Sequence, residues 1–414
     1  MGFWEEKGKP LVCAAALLLA SAGAAVADEN HYNSTIIGER PAGMAGAYTA
    51  VSDDASGLYY NPAGIVYSQG NNLSASVNAY STYEKTYDNA IGSNKYVRRS
   101  ASLNPNYFGV IQHTPFGTIG FSYAMPESIM EEQNSTMYSP LSNVSSWTIN
   151  YNTEVSTYDF GFSYANSVSR ELSLGATLYF EYRKNKTIAN YFTLLTNGTT
   201  QELFKYKRDD EWSIHPTIGV MWSSSNAPIA VGFTISKNLP ISRSEDSLQI
   251  TKAVSGTYAT NPQFLTATTD NILEYPLNMK FGIAYFPTNA LLIDWDVSYY
   301  SSVNGYDPIY GVSLDKTSVV NTALGIEYYT SSSFAVRTGF YTDLSNRSSG
   351  FDNDKINLYG VALSGTYFNK STSITMGFNY SFGQGGRNIN ADVPTIQDMK
   401  MYTLAIFLGT SYSY

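Results

Sequence analysis

The chain has 414 residues, of which 43% are hydrophobic and only 14% charged, with 35 tyrosines and a formal net charge of -9. A soluble domain carries about 25% charged residues, so this surface is short of charge for a protein surrounded by water. An aromatic content of 14% excludes a disordered chain, and 34 acidic against 25 basic residues, with no basic cluster, argue against nucleic acid as a partner.

At the N-terminus, Lys7 and Lys9 precede an apolar core over residues 11–19, and Ala25-Val26-Ala27 supplies the small-x-small pattern that signal peptidase reads. Residues 1–27 therefore read as an export signal with Asp28 as the mature start, although Glu5 and Glu6 offset the lysines. The run 11–27 is the one long apolar stretch of the sequence, and its core is short for a bilayer about 30 Å thick. Cys13, the single cysteine, lies in this signal behind Val12, where lipoprotein processing wants a small residue. A mature chain from Asp28 onward has no cysteine, hence no disulfide, thiolate metal site or cysteine nucleophile.

Residues 28–71 show no alternation. Small residues at Ala42, Gly43, Ala45, Gly46 and Ala47 permit close backbone packing, Asp53-Asp54-Ala55-Ser56 looks like the start of a helical turn, and Asn61-Pro62 is a turn signal. Ahead of a barrel, such a segment can fold into the lumen as a plug; the alternative is a loose periplasmic arm.

From residue 72 to 414 one pattern repeats. Leu291, Ile293, Trp295, Val297 and Tyr299 alternate with Leu292, Asp294, Asp296 and Ser298, and Ile374, Met376, Phe378, Tyr380 and Phe382 with Thr375, Gly377, Asn379 and Ser381. Period two gives each strand one apolar and one polar or small face, which a sandwich would share. The spacing predicts strands near 72–80, 97–113, 117–126, 147–164, 171–185, 206–223, 227–237, 273–286, 290–300, 317–329, 333–342, 356–368, 372–382 and 400–414. Links between them alternate short and long, with long ones at 81–96, 127–146, 186–205, 238–272, 301–316, 343–355 and 383–399. All long loops then gather at one rim and all tight turns at the other. This identifies an all-β fold: a closed antiparallel transmembrane β-barrel of about fourteen strands in a bacterial outer membrane. The last strand, with Tyr402, Leu404, Ile406, Leu408, Tyr412 and Tyr414 on one face, ends in an aromatic residue, as substrates of the barrel-assembly machinery of Gram-negative bacteria usually do.

Strand parity turns Asp159, Glu181, Arg183, Lys280, Asp294, Asp296, Glu327 and Arg337 inward. A turn near Ser332 sets Glu327 opposite Arg337, and one at 287–289 brings Lys280 near Asp296, as a lumenal charge network. The three histidines, His31, His113 and His215, stand in no readable pairing with a nucleophile or carboxylate and in no metal-ligand spacing. No enzyme, cofactor or metal is expected.

Gly43-Met44-x-Gly46-Ala47-Tyr48-Thr49-Ala50-Val51-x-Asp53-Asp54-Ala55-Ser56, followed by Tyr60-Asn61-Pro62-Ala63-Gly64, resembles the hatch signature of the FadL/TodX family of outer-membrane transporters for long-chain fatty acids and other hydrophobic compounds. The resemblance is strong over residues 38–66 and extends to the rest of the mature chain as architecture. It implies fourteen strands and an N-terminal hatch carrying the Asn61-Pro62-Ala63 motif. It also implies a route: a hydrophobic small-molecule ligand, held off by lipopolysaccharide, is caught by external loops, passes the hatch, and leaves sideways into the bilayer at a kink in the third strand. The corresponding loops are 186–205 and 238–272, the first carrying Ile188, Tyr191, Phe192, Leu194, Leu195, Leu203 and Phe204. The corresponding strand is 117–126, with Gly117, Gly120 and Pro126 as sources of irregularity. The rival functions are a barrel of the same architecture serving as a scaffold or secretion-machinery subunit without transport, a general porin, and a lipid hydrolase.

Overall fold

A computed structural model describes residues 31–91, 93–255, 258–307, 312–347, 355–387 and 397–414. The expected export signal, with Cys13, lies outside the described residues. Fourteen strands form the wall: β1 (Asn72–Ile91), β2 (Asn94–Thr114), β3 (Gly117–Leu141), β4 (Val144–Ser167), β5 (Leu172–Leu195), β6 (Thr200–Ser223), β7 (Ile229–Lys237), β8 (Leu277–Thr288), β9 (Leu291–Tyr300), β10 (Val319–Ser331), β11 (Phe334–Asp343), β12 (Lys355–Phe368), β13 (Thr372–Arg387) and β14 (Gln397–Ser413). Each pairs antiparallel with the next, and β14 returns to β1 from Asn72↔Ser413 to Tyr87↔Met399, which closes the barrel.

The alternation explains the orientation of the wall. Phe160, Phe162, Phe180, Trp295, Phe340, Phe378 and Phe382 are exposed on the outside, while Asp159, Ser163, Glu181, Asp294, Asp296, Asn379 and Ser381 are buried within. A continuous belt of exposed aromatics makes sense against hydrocarbon and not against water. The molecule is therefore a transmembrane barrel of the outer-membrane type.

Strands β1 to β6 run well past the 9–11 residues that a tilted strand needs to cross a bilayer. Residues 81–96, 127–146 and 186–205, expected as loops, are instead continuations of these strands into tight hairpins. The reason lies in an inversion of the pattern. In this outer region the buried inner face carries Tyr83, Tyr87, Ile149, Tyr151, Tyr191, Leu203 and Met401, packed around a buried Lys85 and the Arg98–Glu131 ion pair, and the outer face carries Arg99, Asn150, Asn152 and Glu202. Once water replaces lipid outside, a core can form only within. The expected loop 238–272 is likewise a hairpin, in which Leu239–Ser255 pairs with the upper half of β6 and with Gln263–Thr269.

One seam of the wall is incomplete. β2 and β3 pair only from Thr114↔Gly117 to Tyr107↔Ala124. Above that level β2 keeps β1 and β3 keeps β4, but not each other. The break coincides with a bulge in β3 between Ala124 and Glu127, where Met125 and Pro126 together oppose one residue of β4.

Residues 31–71 fill the lumen with helix α1 (Glu39–Gly43), helix α2 (Gly57–Tyr60) and a 3-10 turn (Pro62–Tyr67). Ile37, Met44, Tyr48, Val51 and Tyr60 pack against Tyr107, Met221 and Leu292 of the wall. Inward-facing glycines make this fit possible. A side chain at Gly175 of β5 would overlap the backbone of Pro62 and Ala63, and one at Gly232 of β7 would overlap the Thr49 carbonyl. Gly175→Val is expected to loosen the plug by about 1–3 kcal/mol, read as cleavage near residues 62–63 at lower urea concentration by an added protease, with the barrel strands still protected.

Candidate functional site

The lumen is organised by where the plug meets charged wall residues. Glu327 on β10 stands directly opposite Arg337 on β11, as the turn register predicted, and the two are joined at 2.6 Å. Glu327 also accepts from Arg40 of α1, from Nε at 3.1 Å and Nη2 at 2.7 Å. Arg40 in turn reaches Asp53 at 2.5 Å, Asp54 at 3.9 Å and the Tyr48 hydroxyl at 3.2 Å. One buried carboxylate thus ties two arginines, one from the wall and one from the plug. Sequence reasoning had both wall residues and Asp53 but missed Arg40, which no spacing rule links to residues some 290 positions away.

Asp296 on β9 forms the second tie: its Oδ2 accepts from the Tyr48 N–H at 2.9 Å, the Thr49 N–H at 2.9 Å and the Thr49 hydroxyl at 2.7 Å. The third is Asn61, whose amide donates to Thr49 O at 2.9 Å and to Val220 O on β6 at 3.1 Å, while its Oδ1 accepts from the Ala63 N–H at 3.1 Å and caps the 3-10 turn. Pro62 opens that turn. Of the other motif residues, Asp54 accepts from the Ser56 N–H at 2.7 Å, Gly43 lies where a side chain would strike Ser364, and Gly46 adopts φ +84°.

The expected single charge network is several separate arrangements. Lys280 faces Ser298 directly and has Asp296 diagonally across, within electrostatic reach as expected; its ammonium lies 5.5 Å from the Tyr60 ring centroid. The turn after β8 carries a register shift between Tyr285 and Thr288, which a count from the turn centre cannot anticipate. Asp294 is fully buried, and neither of its oxygens meets a donor. Between plug and wall lies a cavity of about 240 Å³ bordered by Tyr59, Tyr60, Tyr275, Tyr300, Lys280 and Pro126, and by Asp159, Glu181 and His215.

The apolar residues of 186–205 do not form one open groove. Alternation continues through them, so Tyr191, Leu195 and Leu203 are buried inside while Phe192 is exposed outside and Ile188, Leu194 and Phe204 are half-buried. Tyr191 and Leu203 of the inner set pack with Ile149, Tyr151, Tyr96 and Trp147. Of the three residues expected to disturb the third strand, Gly117 sits in the periplasmic turn and Gly120 packs on Leu58 of α2, both in the paired stretch. Pro126 alone lies at the seam, because the bulge and not the glycines breaks the pairing.

The sequence matches no family model and no curated protein. Solved structures match across nearly their whole length: a Pseudomonas aeruginosa FadL homologue at TM-score 0.69 and 12% identity, covering 92% of this chain and 99% of that one, the Pseudomonas putida toluene transporter TodX at 0.64 and 13%, covering 94% and 100%, and the Ralstonia pickettii toluene transporter TbuX at 0.62 and 13%, covering 92% and 100%. At such identities the likeness establishes the fold, which is the one the plug motif led us to expect.

Arg40→Ala leaves Asp53 without its guanidinium and Glu327 with half its cationic partners. Removing one member of a buried ion pair costs about 3–5 kcal/mol, so the urea concentration at which the plug becomes cleavable should fall sharply while the barrel persists. Glu39, buried in α1, has its carboxyl pushed up from its usual 4.5 to about 7 by burial, with Arg337 opposing. A neutral Glu39 supports plug docking fully below its unfolded value, and that contribution is lost as pH rises through about 7. Protease resistance of the plug should therefore decline between about pH 5 and 8 in the wild type and stay level in Glu39→Gln.

Proposed function

We propose that the chain is an outer-membrane uptake channel for hydrophobic small molecules, which enter among the aromatic side chains of the outer region, rest in the cavity beside the plug, and leave sideways between β2 and β3. The observation that carries this reading is the seam. Pro126 borders the cavity of about 240 Å³. Ser100 and Ser102 of β2 with Ser128 and Ile129 of β3 border a second space of about 80 Å³. Both lumenal spaces thus touch β3 beside the interval in which, among the described residues, β2 and β3 share no ladder. Eight paired positions join the two strands, slightly fewer than the about 9–11 needed to cross the bilayer, so the seam opens toward the outer leaflet.

Size narrows the ligand. An apolar cavity of about 150 Å³ holds benzene, so about 240 Å³ accommodates a small aromatic molecule or one end of a longer chain. TodX and TbuX, which share the fold, are toluene transporters. Tyrosines suit such a cavity, since each ring offers an apolar face and a polar tip. A sideways exit suits it too, because each methylene kept out of water favours the membrane by about 0.8 kcal/mol. In this reading the Asn61-Pro62-Ala63 turn, anchored to β6, sets the resting position of the hatch.

Deleting Pro126 removes the extra residue of the bulge and lets β3 continue in register beside β2. Cells carrying this variant, with the barrel assembled normally, should take up radiolabelled toluene no faster than cells lacking the protein; uptake at the wild-type rate would rule out exit at the seam. Hydrophobic molecules extracted from the purified wild-type barrel and identified by mass spectrometry should be reduced in the double variant Asn61→Ala, Pro62→Ala. A wild-type barrel that carries none, and binds no added toluene or fatty acid, would overturn the transport reading.

A further inference from the structure

We propose that Asp159, Glu181 and His215 form a binding site for a divalent transition-metal ion on the lumenal wall. The three come from adjacent strands at one level. Asp159 on β4 faces Glu181 on β5 directly, and His215 on β6 faces Tyr179, the next inward position of β5. One ligand atom from each lies within 4.8 Å of the other two, and His215 Nδ1 is 3.9 Å from Glu181 Oε2. Sequence spacing could not reveal this set, because its members are 22 and 34 residues apart in the chain and meet only through the ladder.

Three observations point to a cation. First, Asp159 is 1% exposed, and neither of its oxygens has a hydrogen-bond donor. Two carboxylates face to face with no donor between them repel each other unless they share a proton or a positive ion. Second, the nearest cations of the chain are engaged with other groups: the Lys280 ammonium, at the border of the same cavity, lies 5.5 Å from the Tyr60 ring centroid, and Arg183, whose charge reaches Glu181, bonds Glu127 at 3.1 Å. Third, the Asn238 amide donates to Glu181 Oε1, which leaves Oε2 directed at the imidazole, as outer-shell partners orient metal ligands. One imidazole and two carboxylates suit Zn²⁺, Mn²⁺ or Fe²⁺, with bonds of about 2.0–2.2 Å. Side-chain adjustments of about an ångström bring the present spacing to that geometry. All three residues border the cavity, so the remaining coordination position faces the lumen, where water or an oxygen of a solute completes it.

Chelator-stripped, refolded wild-type barrel titrated with Zn²⁺ at pH 7.5 should bind one equivalent by calorimetry. Asp159→Asn and His215→Gln, each checked for folding by heat-modifiable migration, should raise Kd at least about 100-fold, the upper range for losing even an outer-shell partner. Wild-type barrel that binds no Zn²⁺, the result expected if the two carboxylates merely share a proton, overturns the proposal, as do folded variants with wild-type affinity. Should a variant fail to fold, X-ray absorption of Zn²⁺-loaded wild type decides: a single imidazole among oxygen ligands supports the site, and zinc bound without imidazole overturns it. None of these readouts depends on the transport reading.

Discussion

In hydrocarbon no water is available to serve a bare peptide group, so a membrane-crossing strand must find hydrogen-bond partners on both edges. Most of this molecule follows from that demand. Fourteen strands close on themselves through β14 and β1, the wall turns its apolar face outward, and polar or small residues are confined to the lumen. The same demand gives the seam between β2 and β3 its meaning. Backbone left unpaired there is tolerable only where the bilayer ends or where the lumen supplies polar partners. The ladder runs for eight positions before it parts, and beside the parting the lumen is polar: the side-chain amide of Asn106 donates to Ile36 O of the plug at 3.3 Å and to Asn78 Oδ1 at 3.2 Å.

A polar lumen creates a second problem, since a plug placed there must satisfy its own backbone and balance the charge around it. Arg40, Glu327 and Arg337 address both. A carboxylate between two guanidiniums is held ionised by proximity and gains charge-assisted bonds at each side. Such an arrangement contributes less to net stability than its short distances suggest, because each ion has left water. Its effect is on position: an Arg40 that must reach Glu327, Asp53 and Tyr48 together fixes α1 against β10 in one way. Asp296 does the same for the turn at Tyr48-Thr49, with three donors converging on one oxygen.

Fold class, strand count and the inward parity of the charges were legible because each strand carries its own record of the two solvents it separates. Glu327 and Arg337 could be paired because the turn between them is tight. Two features were hidden for physical reasons. The pattern at Tyr83, Tyr87, Tyr191 and Leu203 has the same period as the membrane strands with the faces exchanged, and a period does not state which side is wet. A run such as Leu194-Leu195, read as a sticky loop, is one residue on each face of a hairpin. The second hidden feature is anything built across the ladder. Asp159, Glu181 and His215, or Arg40 with Glu327, become neighbours only once the register is known, and the bulge at Met125-Pro126 shifts that register where the seam forms.

The inversion of faces bears on how a greasy solute could travel in a barrel whose lumen is polar. Outside the bilayer the inner face packs Tyr87, Tyr151 and Tyr191 into buried clusters around the Arg98–Glu131 pair, so on the proposed route a solute enters by parting these rings. Deeper in, the wall turns polar, but the cavity there is bordered by Tyr59, Tyr60, Tyr275 and Tyr300, whose rings cover part of the polar wall. A solute held among those rings lies beside Pro126, at the level where the wall loses its ladder. Beyond the seam the apolar face is again on the outside. On the proposed route a hydrophobic molecule therefore passes from an inward-facing to an outward-facing apolar surface of the same strands. The free energy falls monotonically only if the crossing is short, and the bulge in β3 at Met125-Pro126 is what makes it short.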